Sequence, residues 1–267
     1  MKIALTIAGY DPSSGAGITA DLMVFAAHGL YGTSAITSLT VQSTTGVQSS
    51  QPVAPETLRQ TLDCLHADLP PAGIKIGMLA TAEMVEVVAQ YLEDVRRVTP
   101  QTLVALDPVL TSSLGRELLS VQGLASLRKH LLPLVDWVTP NLAELSMLTD
   151  RPVTSQKQVE SASCLLQNSY PNLNILATGG HLEQPNDLLL TPGGKSSWIA
   201  GERIESTSTH GTGCALSSAL LSRVVLGDEA IAAATAAKHY VTEAIRRAVP
   251  LGHGHGPLNH LWPLQKN

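Results

Sequence analysis

Large aromatic side chains are nearly missing from this chain: Phe, Tyr and Trp make up 3% of its 267 residues, with a single Phe. Apolar residues still reach 44%, so the core has to be packed from Ala, Val, Leu and Ile, the usage of an α/β protein. Charge is sparse too, and the formal net charge of −5 contains no block of like sign. That excludes a basic footprint for nucleic acid. The three cysteines, Cys64, Cys164 and Cys214, are odd in number and far apart. They offer neither a disulfide framework nor metal-ligand spacing, and they fit a reducing compartment. No apolar run approaches the ~20 residues needed to span a bilayer. The short apolar start at residues 3–8 stops at Gly9 with no signal-peptide h-region or cleavage site. The expectation is a cytoplasmic protein with no membrane and no nucleic-acid partner.

What is present centres on Thr207-Ser208-Thr209-His210-Gly211-Thr212-Gly213-Cys214, which runs directly into the apolar, helix-like residues 215–221. Small residues entering a helix leave backbone N–H groups pointing one way, and the helix dipole adds positive potential there. An anion fits that spot, and Gly211 and Gly213 let the backbone approach it closely. Cys214 lies in the first turn, where a helix N-terminus favours thiolate. The same residues also read as a helix capped by Thr212 with Cys214 as packing.

Along the chain, residues 3–8 form an apolar strand ended by Gly9, and Ile18, Leu22, Phe25 and Ala26 keep helical spacing over residues 17–28. Gly15-Ala16-Gly17-Ile18-Thr19-Ala20 matches a dinucleotide fingerprint, but no acidic residue occurs between Leu22 and Ala54 to hold a ribose. The nicotinamide-cofactor reading therefore lacks its context. Further strands are expected at 34–41, 73–78, 103–106, 137–139 and 173–177. Helices are expected at 55–69, 80–97, 117–132, from about 214, and at 229–248. Residues 188–190 and 198–200 read as an edge hairpin. This alternation predicts a mostly parallel sheet with helices on both faces, in one domain over residues 1–267. Ligands of such sheets sit at the carboxyl ends of the strands, where Gln42, Asp107 and the Asn141/Glu144 pair fall. Asp107 and Glu144 could hold Mg²⁺ beside substrate phosphates; singly, each also reads as a turn or cap residue. Their recurrence with the Gly-Thr-Gly anion site points to phosphoryl transfer.

Several segments together resemble the hydroxymethylpyrimidine/phosphomethylpyrimidine kinases of thiamine biosynthesis, which have the ribokinase-like fold. They are Ala8-Gly9-Tyr10-Asp11-Pro12-Ser13-Ser14-Gly15-Ala16-Gly17-Ile18-Thr19-Ala20-Asp21-Leu22, Lys75-Ile76-Gly77-Met78-Leu79, Asp107-Pro108-Val109, Thr139-Pro140-Asn141-Leu142-Ala143-Glu144, Gly179-Gly180-His181 and Thr209-His210-Gly211-Thr212-Gly213-Cys214. The last is specific, because sugar kinases of that fold carry Asp where Cys214 stands. The resemblance implies ATP as phosphoryl donor, Mg²⁺, a small-molecule pyrimidine substrate and a homodimer. It implies that Gly9, Asp21, Gln42 and Met78 hold the pyrimidine, that Asp107, Asn141, Glu144 and Thr178 lie at the metal and phosphates, and that Gly211, Thr212, Gly213 and Cys214 form the anion hole and catalytic base. A pyridoxal-type kinase and a non-catalytic pyrimidine-binding protein are the alternatives. Members commonly carry Ser or Thr at Tyr10, Gly at Ser14, Gln at Thr19 and Lys at Met23, and also Lys at Ser113 and Thr178. Tyr10 bears on substrate choice, and the two missing lysines bear on phosphate handling.

Overall fold

A computed structural model describes residues 1–111, 115 and 117–265; Ser113 lies outside them. In chain order the strands are β1 Ile3–Tyr10, β2 Tyr31–Ser43, β3 Gly46–Pro52, β4 Gly73–Ile76, β5 Leu103–Leu106, β6 Trp137–Val138, β7 Asn174–Ala177, β8 Asp187–Thr191 and β9 Lys195–Ile199. The helices are α1 Gly17–Ala27, α2 Pro55–Asp68, α3 Ala82–Val98, α4 Val121–Ser126, α5 Leu142–Thr149, α6 Gln156–Ser169, α7 Thr212–Leu226 and α8 Ala230–Arg246. One sheet orders the strands β3-β2-β1-β4-β5-β6-β7-β8-β9. From β2 to β7 neighbours run parallel, while β3, β8 and β9 pair antiparallel at the two edges. Among the described residues, no helix is long and apolar enough to cross a membrane.

The inner strands are short apolar runs because helices cover both faces. Side chains alternate along each strand, so one face carries Leu5, Ile7, Ile74, Ile76, Val104, Leu106, Val138 and Ile175, packed with α2 to α6. The other carries Ala4, Ala105, Trp137 and Leu176 against α1, α7 and α8. Alanines from strand and helix meet there, as with Ala4, Ala105, Ala215 and Ala219, and small side chains let α7 lie close to the sheet. Close approach is enforced at the start of α7: Gly211 has φ 82°, and a Cβ there would come within 1.8 Å of the Gly15 carbonyl oxygen.

Three departures from the sequence pattern have local causes. The polar turn at 43–46 is the bend of a hairpin, because β2 continues to Ser43 and returns as β3; β3 has mostly polar, half-exposed residues and no apolar alternation to announce it. The helix expected from Glu117 starts at Val121, where the Ser120 side chain accepts the Gly123 N–H, and continues through a π turn, Leu127–Leu131. Helix α6 was not read from the pattern, although Ser155 caps it and Val159, Ala162 and Leu166 line its buried side.

Candidate active site

A cavity of about 410 Å³ opens at the carboxyl ends of β1, β4, β5, β6 and β7, between the β2–β3 hairpin and the first turn of α7. Eleven of the twelve expected site residues line it: Gly9, Gln42, Met78, Asp107, Asn141, Glu144, Thr178, Gly211, Thr212, Gly213 and Cys214. Asp21 does not. It is fully buried beneath the floor, where its carboxylate accepts hydrogen bonds from Thr6 Oγ1 (2.6 Å), Ser218 Oγ (2.7 Å) and Lys75 Nζ (3.0 Å). Asp21 is thus no solvated helix-face carboxylate, and its reach into the cavity is through Lys75.

Lys75 was missed as a functional residue, although its signal stood in the sequence. A lysine between Ile74 and Ile76 in a four-residue strand must point to the opposite face, and a charge buried there needs partners. It has two, with Asp107 Oδ2 at 3.8 Å the second, and its side chain is inaccessible to solvent. Burial works against the ammonium, but the carboxylates of Asp21 and Asp107 pull the other way, and Lys75 is held above its ordinary pKa.

Cys214 corrects the expectation of a ready thiolate. Burial pushes its thiol up to about 12; Lys75 pulls the other way, while the carboxylates of Asp107 and Asp21 add to the rise. The dipole of α7 cannot offset dry surroundings and two nearby negative groups. Asp107 accepts from Ser217 Oγ at 3.4 Å, and the Cys214 thiol beside it works to lower its pKa. Burial raises Asp107 above the usual carboxylate value despite Lys75. Nor does Thr212 cap α7: the N-cap position is Gly211, without a side-chain cap, and the Thr212 hydroxyl donates to the Thr209 carbonyl (2.7 Å). The first-turn N–H groups therefore face the cavity uncapped by any side chain. Gly213 leaves its place open, since a Cβ there would stand 3.9 Å from Asp107 Oδ1.

Asn141 and Glu144 form a capping box on α5: Asn141 Oδ1 accepts the Glu144 N–H at 3.0 Å, and Glu144 Oε2 accepts the Asn141 N–H at 2.9 Å. The cap fixes the Glu144 side chain at the cavity wall. Burial and the charge of Asp107 raise Glu144 to about 8. Among the described residues no group of three or more His, Cys, Asp or Glu could cage a metal. Two raised carboxylates facing one cavity nevertheless suit Mg²⁺, which takes one or two carboxylates and completes its shell with water and phosphate oxygens.

On the phosphate side, Lys75 is the only Lys or Arg that lines the cavity among the described residues. Arg203 donates to the Leu182 carbonyl at 2.6 Å and does not line the cavity, and neither does Lys195. Thr178 sits at the end of β7, its N–H donating to the Pro140 carbonyl (2.9 Å). A second missed group is Asp11 with His210: Nε2 of His210 lies 2.7 Å from Asp11 Oδ2 and 3.0 Å from the Gln42 amide.

A family model described as phosphomethylpyrimidine kinase matches residues 11–259. The chain belongs to this family. It is 40% identical over 265 residues to the hydroxymethylpyrimidine/phosphomethylpyrimidine kinase of Synechococcus elongatus, covering 99% of both chains. The crystal structure of the Clostridium difficile phosphomethylpyrimidine kinase superposes with a TM-score of 0.80 at 32% identity, covering 92% of this chain and 100% of that one. A pyridoxal kinase from Bacillus subtilis, solved as an ADP complex, superposes with a TM-score of 0.87 at 30% identity, covering 99% and 100%. The ribokinase-like fold expected from the sequence is that of these kinases.

Proposed function

We propose that this chain transfers the γ-phosphoryl group of ATP to the hydroxymethyl oxygen of 4-amino-5-hydroxymethyl-2-methylpyrimidine, and then to its monophosphate, in thiamine biosynthesis. The observation that carries this reading is the family match over residues 11–259. In it, Gly9, Gln42 and Met78 hold the ring, and Asp21 acts from below by fixing Lys75. The uncapped N–H groups of Gly213 and Cys214 receive the transferring phosphoryl oxygens, in a site that works by positioning and charge neutralisation. Asp107 and Glu144 would hold Mg²⁺, which when bound supplies charge neutralisation at the phosphates.

Cys214 remains at the place of the base, but as a thiol. The substrate hydroxyl gives its proton to Sγ while the thiol's own proton passes to the neighbouring Asp107 carboxylate. The C–O–H proton is thereby removed as the P–O bond forms, without a standing thiolate. We further place the chain in the cytoplasm as a single-domain homodimer.

A second reading, a pyridoxal kinase, is favoured by the likeness to the Bacillus subtilis enzyme and by Tyr10, which lines the cavity. ADP release measured with hydroxymethylpyrimidine, its monophosphate and pyridoxal decides. Preferred turnover of the pyrimidines supports the proposal, preferred turnover of pyridoxal replaces it, and turnover of none leaves the non-catalytic binding protein.

A further inference from the structure

The geometry points to His210 as the residue that sets which way the Gln42 amide faces, and thereby which flat ring the cavity accepts. The favoured class is an aminopyrimidine, over a pyridine that carries an aldehyde and a hydroxyl. This rests on the pyrimidine-kinase reading above. One imidazole nitrogen has two polar neighbours. His210 Nε2 lies 2.7 Å from Asp11 Oδ2 and 3.0 Å from the arm of the Gln42 amide placed as Nε2; the two arms of an amide have the same shape, and hydrogen bonding decides which is nitrogen and which oxygen. The imidazole nitrogen carries either a proton or a lone pair, so it cannot donate to Asp11 and also accept from Gln42. Asp11 decides between them. Its oxygens already accept from the Ser13 N–H (2.8 Å), the Ser13 hydroxyl (2.7 Å) and the Ala16 N–H (3.0 Å), so it is a carboxylate with no proton to give. Hydrogen bonds from His210 and Ser13 hold it below the usual carboxylate value in spite of its burial. Nε2 therefore bears the proton, and the arm of Gln42 that faces it has to be the oxygen.

The other arm agrees. Placed as Oε1, it lies 3.2 Å from Thr40 Oγ1, whose hydroxyl has a second and closer acceptor in the Tyr10 carbonyl at 2.9 Å, so the amide can be turned over without cost to Thr40. With its proton directed to that carbonyl, Thr40 receives an N–H from the amide. This arrangement satisfies every group, and the reverse one sets two donors against each other at His210. The imidazole is also held in place. It lies against Gly15, where a Cβ would come within 2.3 Å of Cδ2, and its backbone N–H donates to the Gly256 carbonyl at 3.1 Å.

Gln42 is left with one oxygen lone pair and one N–H for a ligand, in a fixed order. An aminopyrimidine presents an amino donor beside a ring-nitrogen acceptor, the pattern by which an amide reads adenine. A pyridoxal-like ring places an aldehyde acceptor where the amino donor stands. An amide free to turn serves both rings; a fixed one serves the first.

The test uses the purified full chain, with kcat/KM measured for hydroxymethylpyrimidine and for pyridoxal. In His210→Leu the ratio of the two is expected to fall at least tenfold, mainly through KM for the pyrimidine, and in Thr40→Val it moves the same way. In ¹⁵N-labelled wild type, Nε2 of His210 is expected to carry the proton in the neutral ring. Equal losses for both rings in both variants, or an unprotonated Nε2, overturn the inference while leaving the kinase reading intact. A wild type that turns over neither ring overturns both. If His210→Leu does not fold, the Thr40→Val ratio and the nitrogen spectrum decide.

Discussion

The two faces of the central sheet are built for different purposes. Toward α2 to α6 the strands present Leu, Ile and Val, and the helices answer with Leu62, Val85, Val88 and Leu92, so that face is held by apolar burial. Toward α1 and α7 the same strands present Thr6, Lys75 and Asp107, which meet Asp21, Ser217 and Ser218. A buried ion pair is weak evidence of stability, because desolvation offsets much of its attraction. The polar patch, set within the apolar layer of Ala4, Ala105, Ala215 and Ala219 on the same face, is better understood as the rigid underside of the cavity. Apolar side chains there would pack as well and would orient nothing above them.

Lys75→Met tests the difference most severely. It leaves the carboxylates of Asp21 and Asp107 without their cation, and removing one partner of a buried pair costs about 3–5 kcal/mol. Urea unfolding should show a loss of that order, with turnover gone in whatever remains folded. A stable and active variant would show that the lysine is filling space. Cys214→Ala comes next. A positioned group that moves a proton contributes typically ~10²–10⁴ in rate, so kcat should fall by that much while pyrimidine affinity stays within a few-fold, because the anion-holding groups are backbone. Activity within threefold of wild type would reduce the thiol to packing.

On the apolar face, Leu92→Ala empties a fully buried position in α3. It should cost about 2–5 kcal/mol in unfolding with kcat and both Michaelis constants unchanged at temperatures where the variant is folded. A fall in kcat there would break the division of labour between the faces. The smallest effect is expected at the cavity rim. Thr178→Lys adds a cation where the described lining has none beyond the enclosed Lys75. Charge-assisted hydrogen bonds are worth about 1.5–3 kcal/mol, so ATP affinity should tighten roughly 10- to 100-fold. An unchanged Michaelis constant for ATP would mean that α7 and the metal already suffice.

How far the site was legible in the sequence followed from whether a residue's role is local. Gln42 and Asp107 were readable because each ends a strand, and strand ends in a parallel sheet converge on one edge; Thr178 came from the resemblance. Asn141 and Glu144, three residues apart, were readable as a cap, and the structure keeps the cap in full. Asp21 is placed at the ligand by the family resemblance alone, since its spacing in α1 gives no sign of what it meets. Its actual partners are 54 and 197 residues away in the chain, at Lys75 and Ser218.

By itself the sequence determined the alternation of strands and helices, the parallel sheet with covered faces, the family, and the segments that meet at the strand ends. These rest on periodicity, turn chemistry and contiguous motifs, all of which act over a few residues. Only the tertiary structure decided the charges within the site. A first-turn cysteine is a thiolate candidate by its local setting, yet packing α7 against β4 and β5 sets the half-exposed Cys214 on the cavity wall, where desolvation and the Asp107 and Asp21 carboxylates raise its thiol against the pull of Lys75. His210 and Asp11 lie 199 positions apart, and nothing local to either says that they share a proton. Electrostatics depends on distance and on exclusion of water, and both are fixed only when the chain has closed.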